Sequence, residues 1–298
     1  MSTELEFGGV YTALITPFQN DGRSIDFGAL RELVERQVDA GVQGVVPCGT
    51  TGESPTLDHS EHGELIARCV EFCKGRIQVI AGTGSNSTKE AISLSVAAAR
   101  DGADAVMLVN PYYNKPTQEG LYQHFSRIAD SVDVPVVLYN IKGRTSVNIE
   151  IDTMRRLASH PRIQAVKEAS GDPLQMASIM AHCAGQLSML CGDDNITPVV
   201  MALGGTGVVS VAANVVPARL VRMVQHYQAG NFEAGNEIFY GLFAFMNAMF
   251  WQTNPIPVKA ACAIKGWCRP DVRLPLTPLG KEQSEALAML MQDLGVDE

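Results

Sequence analysis

The sequence predicts an α/β fold, a (β/α)8 TIM barrel with a C-terminal helical appendage. Three observations lead there. Short apolar runs alternate with longer amphipathic segments through the first 230 residues. Most of the short runs hold Val or Ile and lack the polar alternation of a half-exposed strand, the pattern of strands covered on both faces. Eight strand–helix units fit before residue 230, which is the expected size of such a barrel.

The eight expected strands are 10–15, 44–47, 77–81, 105–109, 135–138, 163–166, 187–190 and 207–211. Each is followed by a helix. Asp26 is placed to cap a helix over 29–40, with Gly41 as its stop. Asp58 caps a helix that runs to Cys73, and Glu61, three residues on, completes a capping box. Ser87 or Thr88 starts a helix reaching Arg100. Further helices are expected over 118–129, 150–160, 173–183, 197–203 and 217–229. The remainder differs: 231–251, 258–266 and 281–294 read as helices with no strand between them, separated by proline-rich breaks at 254–257 and 269–278. The chain therefore divides into a barrel, 1–230, and a helical region, 231–298, packed on it.

Composition excludes several functions. With 23 Lys+Arg against 32 Asp+Glu the net charge is −9, the wrong sign for a chain whose main partner is nucleic acid. At 46% hydrophobic and 18% charged residues, the chain has enough apolar surface to offset its entropy and is not disordered. No apolar run approaches the length of a membrane helix, and residues 1–8 carry two Glu and no basic residue, unlike a secretory leader. Seven cysteines (Cys48, Cys69, Cys73, Cys183, Cys191, Cys262 and Cys268) are odd in number and lie in apolar stretches. They read as small buried hydrophobes in a reducing, cytoplasmic setting rather than as a disulfide framework. Cys69 and Cys73 share a helix face, but without a nearby His or second Cys pair they make a poor zinc site, and no metal is expected.

In such a barrel the chemistry sits where strands end. The segments there are Gly49-Thr50-Thr51-Gly52-Glu53, Gly82-Thr83-Gly84, Asn110-Pro111-Tyr112-Tyr113-Asn114, Tyr139-Asn140 with Gly143-Arg144-Thr145, Lys167-Glu168 and Gly192-Asp193-Asp194. Lys167 closes an otherwise apolar strand, where a charge is costly to bury. It is either one half of an ion pair or a desolvated amine able to attack a carbonyl and form a Schiff base. Tyr139 is either a core residue with its hydroxyl at the surface or a proton relay beside that amine, connected through hydroxyls such as Thr50. Arg144 either caps a helix or pairs with Glu150, or else grips a carboxylate through its planar fork. His59 and His62, three residues apart at a helix start, read by themselves as helix surface.

Taken together, Gly49-Thr50-Thr51-Gly52-Glu53-Ser54, Tyr112-Tyr113-Asn114, Tyr139-Asn140-x-x-Gly143-Arg144-Thr145, Val166-Lys167-Glu168-Ala169-Ser170, Gly192-Asp193-Asp194 and Asn254-Pro255-Ile256-Pro257-Val258-Lys259 resemble the dihydrodipicolinate synthase family across nearly the whole chain. The wider superfamily includes N-acetylneuraminate lyase and 2-keto-3-deoxy sugar-acid aldolases.

The resemblance implies that Lys167 condenses with pyruvate and that the enamine attacks L-aspartate 4-semialdehyde. The product is 4-hydroxy-tetrahydrodipicolinate, the committed step toward diaminopimelate and lysine. It further implies a relay of Tyr139, Thr50 and Tyr113, the last reaching into a neighbouring subunit. Thr51 would help bind the pyruvate carboxylate and Arg144 the semialdehyde carboxylate, with backbone contacts from Gly192 and Val209. No cofactor is implied, because the lysine itself is the electron sink.

A homotetramer built from tight dimers is implied as well. So is feedback inhibition by L-lysine at Ser54, His59, His62, Asn86, Glu90 and Tyr112, with Glu90 the counter-charge for the ligand's amine. One departure stands out. Ile141-Lys142 replaces the family's usual Val-Pro, which loosens the approach to Arg144 and adds a positive charge near the aldehyde site. The alternatives are a related pyruvate-dependent aldolase acting on a sugar acid, and a barrel that binds without turnover.

Overall fold

The computed structural model describes residues 5–296. Eight parallel strands close a barrel: β1 (Gly9–Ala13), β2 (Gly44–Val46), β3 (Gln78–Gly82), β4 (Ala105–Val109), β5 (Val136–Asn140), β6 (Ile163–Glu168), β7 (Ser188–Cys191) and β8 (Gly207–Ser210). Each strand pairs with its neighbours in sequence, and β1 closes the ring on β8. The outer ring is α1 (Phe27–Asp39), α2 (His59–Cys73), α3 (Thr88–Arg100), α4 (Gln118–Asp130), α5 (Ile151–Ala158), α6 (Pro173–Cys183), α7 (Thr197–Ala202) and α8 (Pro217–Gln228). Three further helices follow: α9 (Phe232–Ala248), α10 (Ile256–Ile264) and α11 (Lys281–Asp293).

Local chemistry explains where the helices begin. Asp26 accepts the Ala29 N–H at 3.0 Å. Asp58 accepts the Glu61 N–H at 2.8 Å while the Glu61 carboxylate accepts the Asp58 N–H at 3.1 Å, the reciprocal box that the spacing predicts. Thr117 and Asp172 cap α4 and α6 with their side chains alone, accepting the Gly120 and Leu174 N–H groups. Several short elements escape the sequence pattern, among them 3-10 turns at Ser54–Thr56, Asp194–Ile196 and Ala212–Asn214. Phe18–Gln19 and Ser24–Ile25 form a small antiparallel hairpin before α1, too short to show a period. Lys142–Thr145 forms one helical turn after β5.

The strand ends also shift, and the shift matters. β5 continues through Tyr139 and Asn140, and β6 through Lys167 and Glu168, so these residues lie within strands rather than beyond them. The α5 and α9 boundaries fall inside the expected 150–160 and 231–251, because the flanking residues turn away.

Apolar residues pack in two places. Outward-facing strand residues and the helices form the larger core, including Leu33, Leu65, Phe125, Leu138 and Val166. Inward-facing residues fill the barrel: Tyr11, Val46, Ile80, Met107, Val137, Ala165, Leu190 and Val209. The seam between β1 and β8 is tight, with Gly9 level with Gly207.

A Cβ on Gly207 would fall 2.0 Å from the Gly9 carbonyl oxygen and 2.7 Å from its nitrogen. Gly207→Ala is therefore expected to lose about 3 kcal/mol or more of stability, because backbone rather than a flexible side chain must yield. Urea denaturation checks this; a loss below about 1 kcal/mol would show that the seam can relax.

Candidate active site

The strand register brings the first two candidates together. Val136 of β5 lies level with Ile163 of β6, but Val137 lies level with Ala165, so Gln164 is an extra residue in β6. Without that bulge Lys167 would stand beside Asn140. With it, Lys167 stands beside Tyr139, and because residues level in a parallel pair face the same side, both enter the barrel. The Lys167 ammonium lies 4.1 Å from the centre of the Tyr139 ring. Both side chains are buried, each 5% exposed. Among the described residues Lys167 makes no salt bridge, so the ion-pair reading of this lysine does not hold; the ring face is what meets the amine.

The residues that alternate with this pair point outward and form a second layer. Asn140 accepts from the Asn110 side chain at 2.9 Å and from the Ile149 N–H at 3.1 Å. Its own amide donates to Asn148 at 2.8 Å and to the Glu168 carboxylate at 2.9 Å. Glu168 is fully buried and also accepts the Ser170 N–H at 2.7 Å. Burial pushes its carboxyl above the usual range, against the pull of Ser170 and Asn140. This network anchors both ends of the segment 140–149, which carries Arg144.

A cavity of about 320 Å³ opens at the ends of β2 to β5. Its walls include Thr50, Tyr139 and Arg144, and also Ser54, His59, His62, Glu90 and Tyr112. Two sets of candidates thus share one hollow. Arg144 is exposed, and its Nη2 donates to the Asn254 carbonyl at 3.5 Å. It forms no ion pair with Glu150 among the described residues, which removes that reading. Thr51 is buried and its hydroxyl accepts from the Asn254 amide at 2.9 Å. Gly192 donates its N–H to the Glu168 carbonyl at 2.8 Å, and Val209 faces the barrel interior. Tyr113 stands apart: it has a left-handed backbone, is 91% exposed and does not join Thr50 and Tyr139 within its own chain. Lys142 is exposed on the helical turn beside Arg144.

At the outer end of the hollow, Glu90 is the centre. One of its oxygens meets His59 Nε2 at 2.8 Å and the other accepts from the Ser85 hydroxyl. These contacts, Ser85 first and His59 second, hold its carboxyl below the usual range. His62 is not helix surface. It is buried, with Nε2 2.8 Å from the Gly82 carbonyl, and burial lowers its basicity. Asn86 lies outside the cavity wall but donates to the Tyr112 carbonyl at 3.2 Å, which holds that loop.

Sequence reasoning missed Glu53 and Lys259. They meet in a wholly buried ion pair behind the Thr50–Thr51 loop. The signal available was a charged residue inside each of two otherwise uncharged motifs. All seven cysteines are free; Cys268 is half-buried and the rest are buried. Among the described residues no three His, Cys, Asp or Glu side chains gather as a metal site, and no helix is long and apolar enough to cross a membrane.

Fold and site define the class: a (β/α)8 barrel with an amine held inside its mouth against a phenol. A sequence profile of the dihydrodipicolinate synthetase family matches residues 6–294, and the chain belongs to that family. The 4-hydroxy-tetrahydrodipicolinate synthase of Leptospira biflexa is 54% identical over 276 residues, covering 92% of this chain and 93% of its own. Two solved structures are similar throughout. One is a dihydrodipicolinate synthase from Acinetobacter baumannii complexed with pyruvate (TM-score 0.95, 40% identity, 97% of this chain and 99% of that one). The other is an enzyme of this kind from Cyanidioschyzon merolae with lysine bound (TM-score 0.94, 40% identity, 97% and 99%).

Asp193 supplies a pH test. Burial raises its carboxyl from the ordinary 3.8 to about 6; Lys167 and Arg144 oppose the rise and Asp194 adds to it. The native state holds this proton more tightly than the unfolded chain, so ionising it costs stability as pH climbs from about 4 through 6. Asp193→Asn should therefore be more stable than the parent at neutral pH, by about 1–3 kcal/mol, with the gain shrinking to nothing in acid. Urea denaturation across that range checks it; a pH-independent difference would contradict it.

Proposed function

We propose that this chain condenses pyruvate with L-aspartate 4-semialdehyde to give 4-hydroxy-tetrahydrodipicolinate. The observation that carries the reading is the Lys167 amine, buried in the barrel mouth against Tyr139 and free of any salt bridge among the described residues. Nζ attacks C2 of pyruvate, and the carbinolamine loses water to give an imine. Loss of a proton from C3 gives the enamine, whose carbon adds to the aldehyde. The semialdehyde's own amine then displaces Nζ, which closes the ring and frees the lysine.

Tyr139 and Thr50 carry protons in these steps. Tyr113, exposed on its own chain, supplies the third hydroxyl to a neighbouring subunit's site. Thr51 orients the pyruvate carboxylate, with backbone support from Gly192 and Val209. Arg144, at the open side of the cavity, holds the semialdehyde carboxylate through charge-assisted hydrogen bonds. Lys142 adds positive charge on the same side, which suits an acidic second substrate. The sugar-acid alternative is not favoured, since the curated relatives carry the synthase name.

The protein works as a homotetramer of tight dimers in the cytoplasm, and L-lysine inhibits it. The lysine ammonium binds Glu90 in the outer part of the cavity, beside His59, His62, Ser54, Asn86 and Tyr112. The charge on Glu90 and the relative that holds lysine support this reading.

Incubation with pyruvate and borohydride should leave a stable adduct on the peptide bearing Lys167; modification elsewhere or nowhere would overturn the mechanism. Tyr139→Phe should lower kcat by roughly 10²–10⁴-fold, the range for loss of a proton-transfer group, and an unchanged kcat would remove Tyr139 from the relay. Glu90→Gln should weaken inhibition by lysine about 10–100-fold, the worth of a hydrogen bond to a charged group. An unchanged inhibition curve would place the effector elsewhere.

A further inference from the structure

The loop after β2 carries both threonines of the site, and the barrel alone does not hold it. Cys48 before it and Glu53 at its end each have φ of 55°, a left-handed backbone that side-chain-bearing residues adopt where their surroundings impose it. Within the loop, Gly52 and Ser54 donate their N–H groups to the Gly49 carbonyl, and Thr16 from the barrel donates to the Gly52 carbonyl.

What holds the far end comes from beyond the barrel. Both oxygens of the buried Glu53 carboxylate are taken: one by the Lys259 ammonium of α10, the other by the Arg273 N–H at 2.9 Å. Lys259 is itself wholly buried, with Nζ 4.0 Å from the centre of the Phe18 ring. Arg273 is fixed in turn. Its guanidinium grips both Glu61 oxygens at 2.6 Å and donates to the Gly22 and Thr56 carbonyls at 2.7 and 2.8 Å. Just before α10, Asn254 reaches the Thr51 hydroxyl. Glu53 and Lys259 do not line the cavity.

Two charges taken out of water gain little net stability even when well paired, so a buried pair is weak evidence for stabilisation. A buried pair does fix geometry, because neither group can move without leaving the other uncompensated. We propose that Glu53 and Lys259 are positioning residues for the condensation: their ion pair sets the backbone of the loop and, through it, the Thr50 hydroxyl and Thr51 at the barrel mouth. The helical segment after the barrel is thereby part of the catalytic apparatus without touching substrate. This rests on the pyruvate-condensing reading above, which gives the two threonines their work.

The test uses full-length protein carrying Glu53→Gln, Lys259→Met, or both. In either single variant kcat should fall roughly 10–100-fold and KM for pyruvate should rise, while KM for the semialdehyde, met by Arg144, stays within about twofold. The double variant removes both charges together. It should regain the parent's thermal midpoint yet keep the deficit in kcat. A kcat that recovers along with the thermal midpoint would make the pair structural only and overturn the proposal, as would single variants with the parent's kcat. Failure of all three variants to fold would overturn it in the same way. The parent enzyme assayed alongside separates the two levels: a parent that does not condense these substrates sinks the functional reading itself, whereas an active parent beside unaffected variants sinks only the role of the pair.

Discussion

A lysine amine enclosed at the end of an apolar strand, set against a phenol ring and in no salt bridge among the described residues, is the constraint on which the rest of this structure depends. A buried cation is ordinarily neutralised by an anion in contact with it. Here Lys167 is 5% exposed and meets the face of Tyr139. Asp193, whose charge acts on the amine without salt-bridge contact among the described residues, is partly buried, and that burial raises its carboxyl to about 6. An amine so placed is not locked into a salt bridge and stays available to a carbonyl carbon. A bulge in β6 aims the amine at the ring, and a polar layer lies on the outer side of β4, β5 and β6.

That polar layer links strand geometry to the substrate-facing loop. Strand alternation puts Lys167 and Tyr139 inside and their successors Glu168 and Asn140 outside. The outward pair, with Asn110, ties down the segment that bears Arg144 through its backbone at Val147 and Ile149. On the opposite wall the segment after the barrel does the equivalent work, with Asn254 touching both Thr51 and Arg144. The catalytic mouth is therefore supported from two sides by buried polar contacts. The inner wall, with Thr50 and Tyr139, and the outer part around Glu90 line one hollow.

Much of this was legible in the sequence because it rests on local rules. Apolar runs without alternation marked all eight strands, and caps such as Asp58 with Glu61 marked helix starts to within a residue or two. The motif residues fell at strand ends, where a barrel gathers its chemistry. What stayed hidden depends on long-range geometry. Nothing in residues 163–168 announces that Gln164 is an extra residue, yet that bulge decides whether Lys167 faces Tyr139. His62 looked like surface because a three-residue spacing at a helix start does not reveal which turn faces the barrel. The partnership of Glu53 with Lys259 spans more than two hundred positions, and no period or propensity encodes it. Arg144 likewise found a backbone carbonyl from the C-terminal part in place of the nearby Glu150.

The central claim is that the Lys167 nitrogen bonds to the ketone carbon of pyruvate inside the barrel mouth. A crystal structure of the protein soaked with pyruvate addresses it most directly. The account predicts continuous electron density from Nζ to C2, with the pyruvate carboxylate turned toward Thr50 and Thr51. Pyruvate bound without a bond to Nζ, or Nζ swung onto the Asp193 carboxylate with pyruvate absent from the mouth, would contradict it.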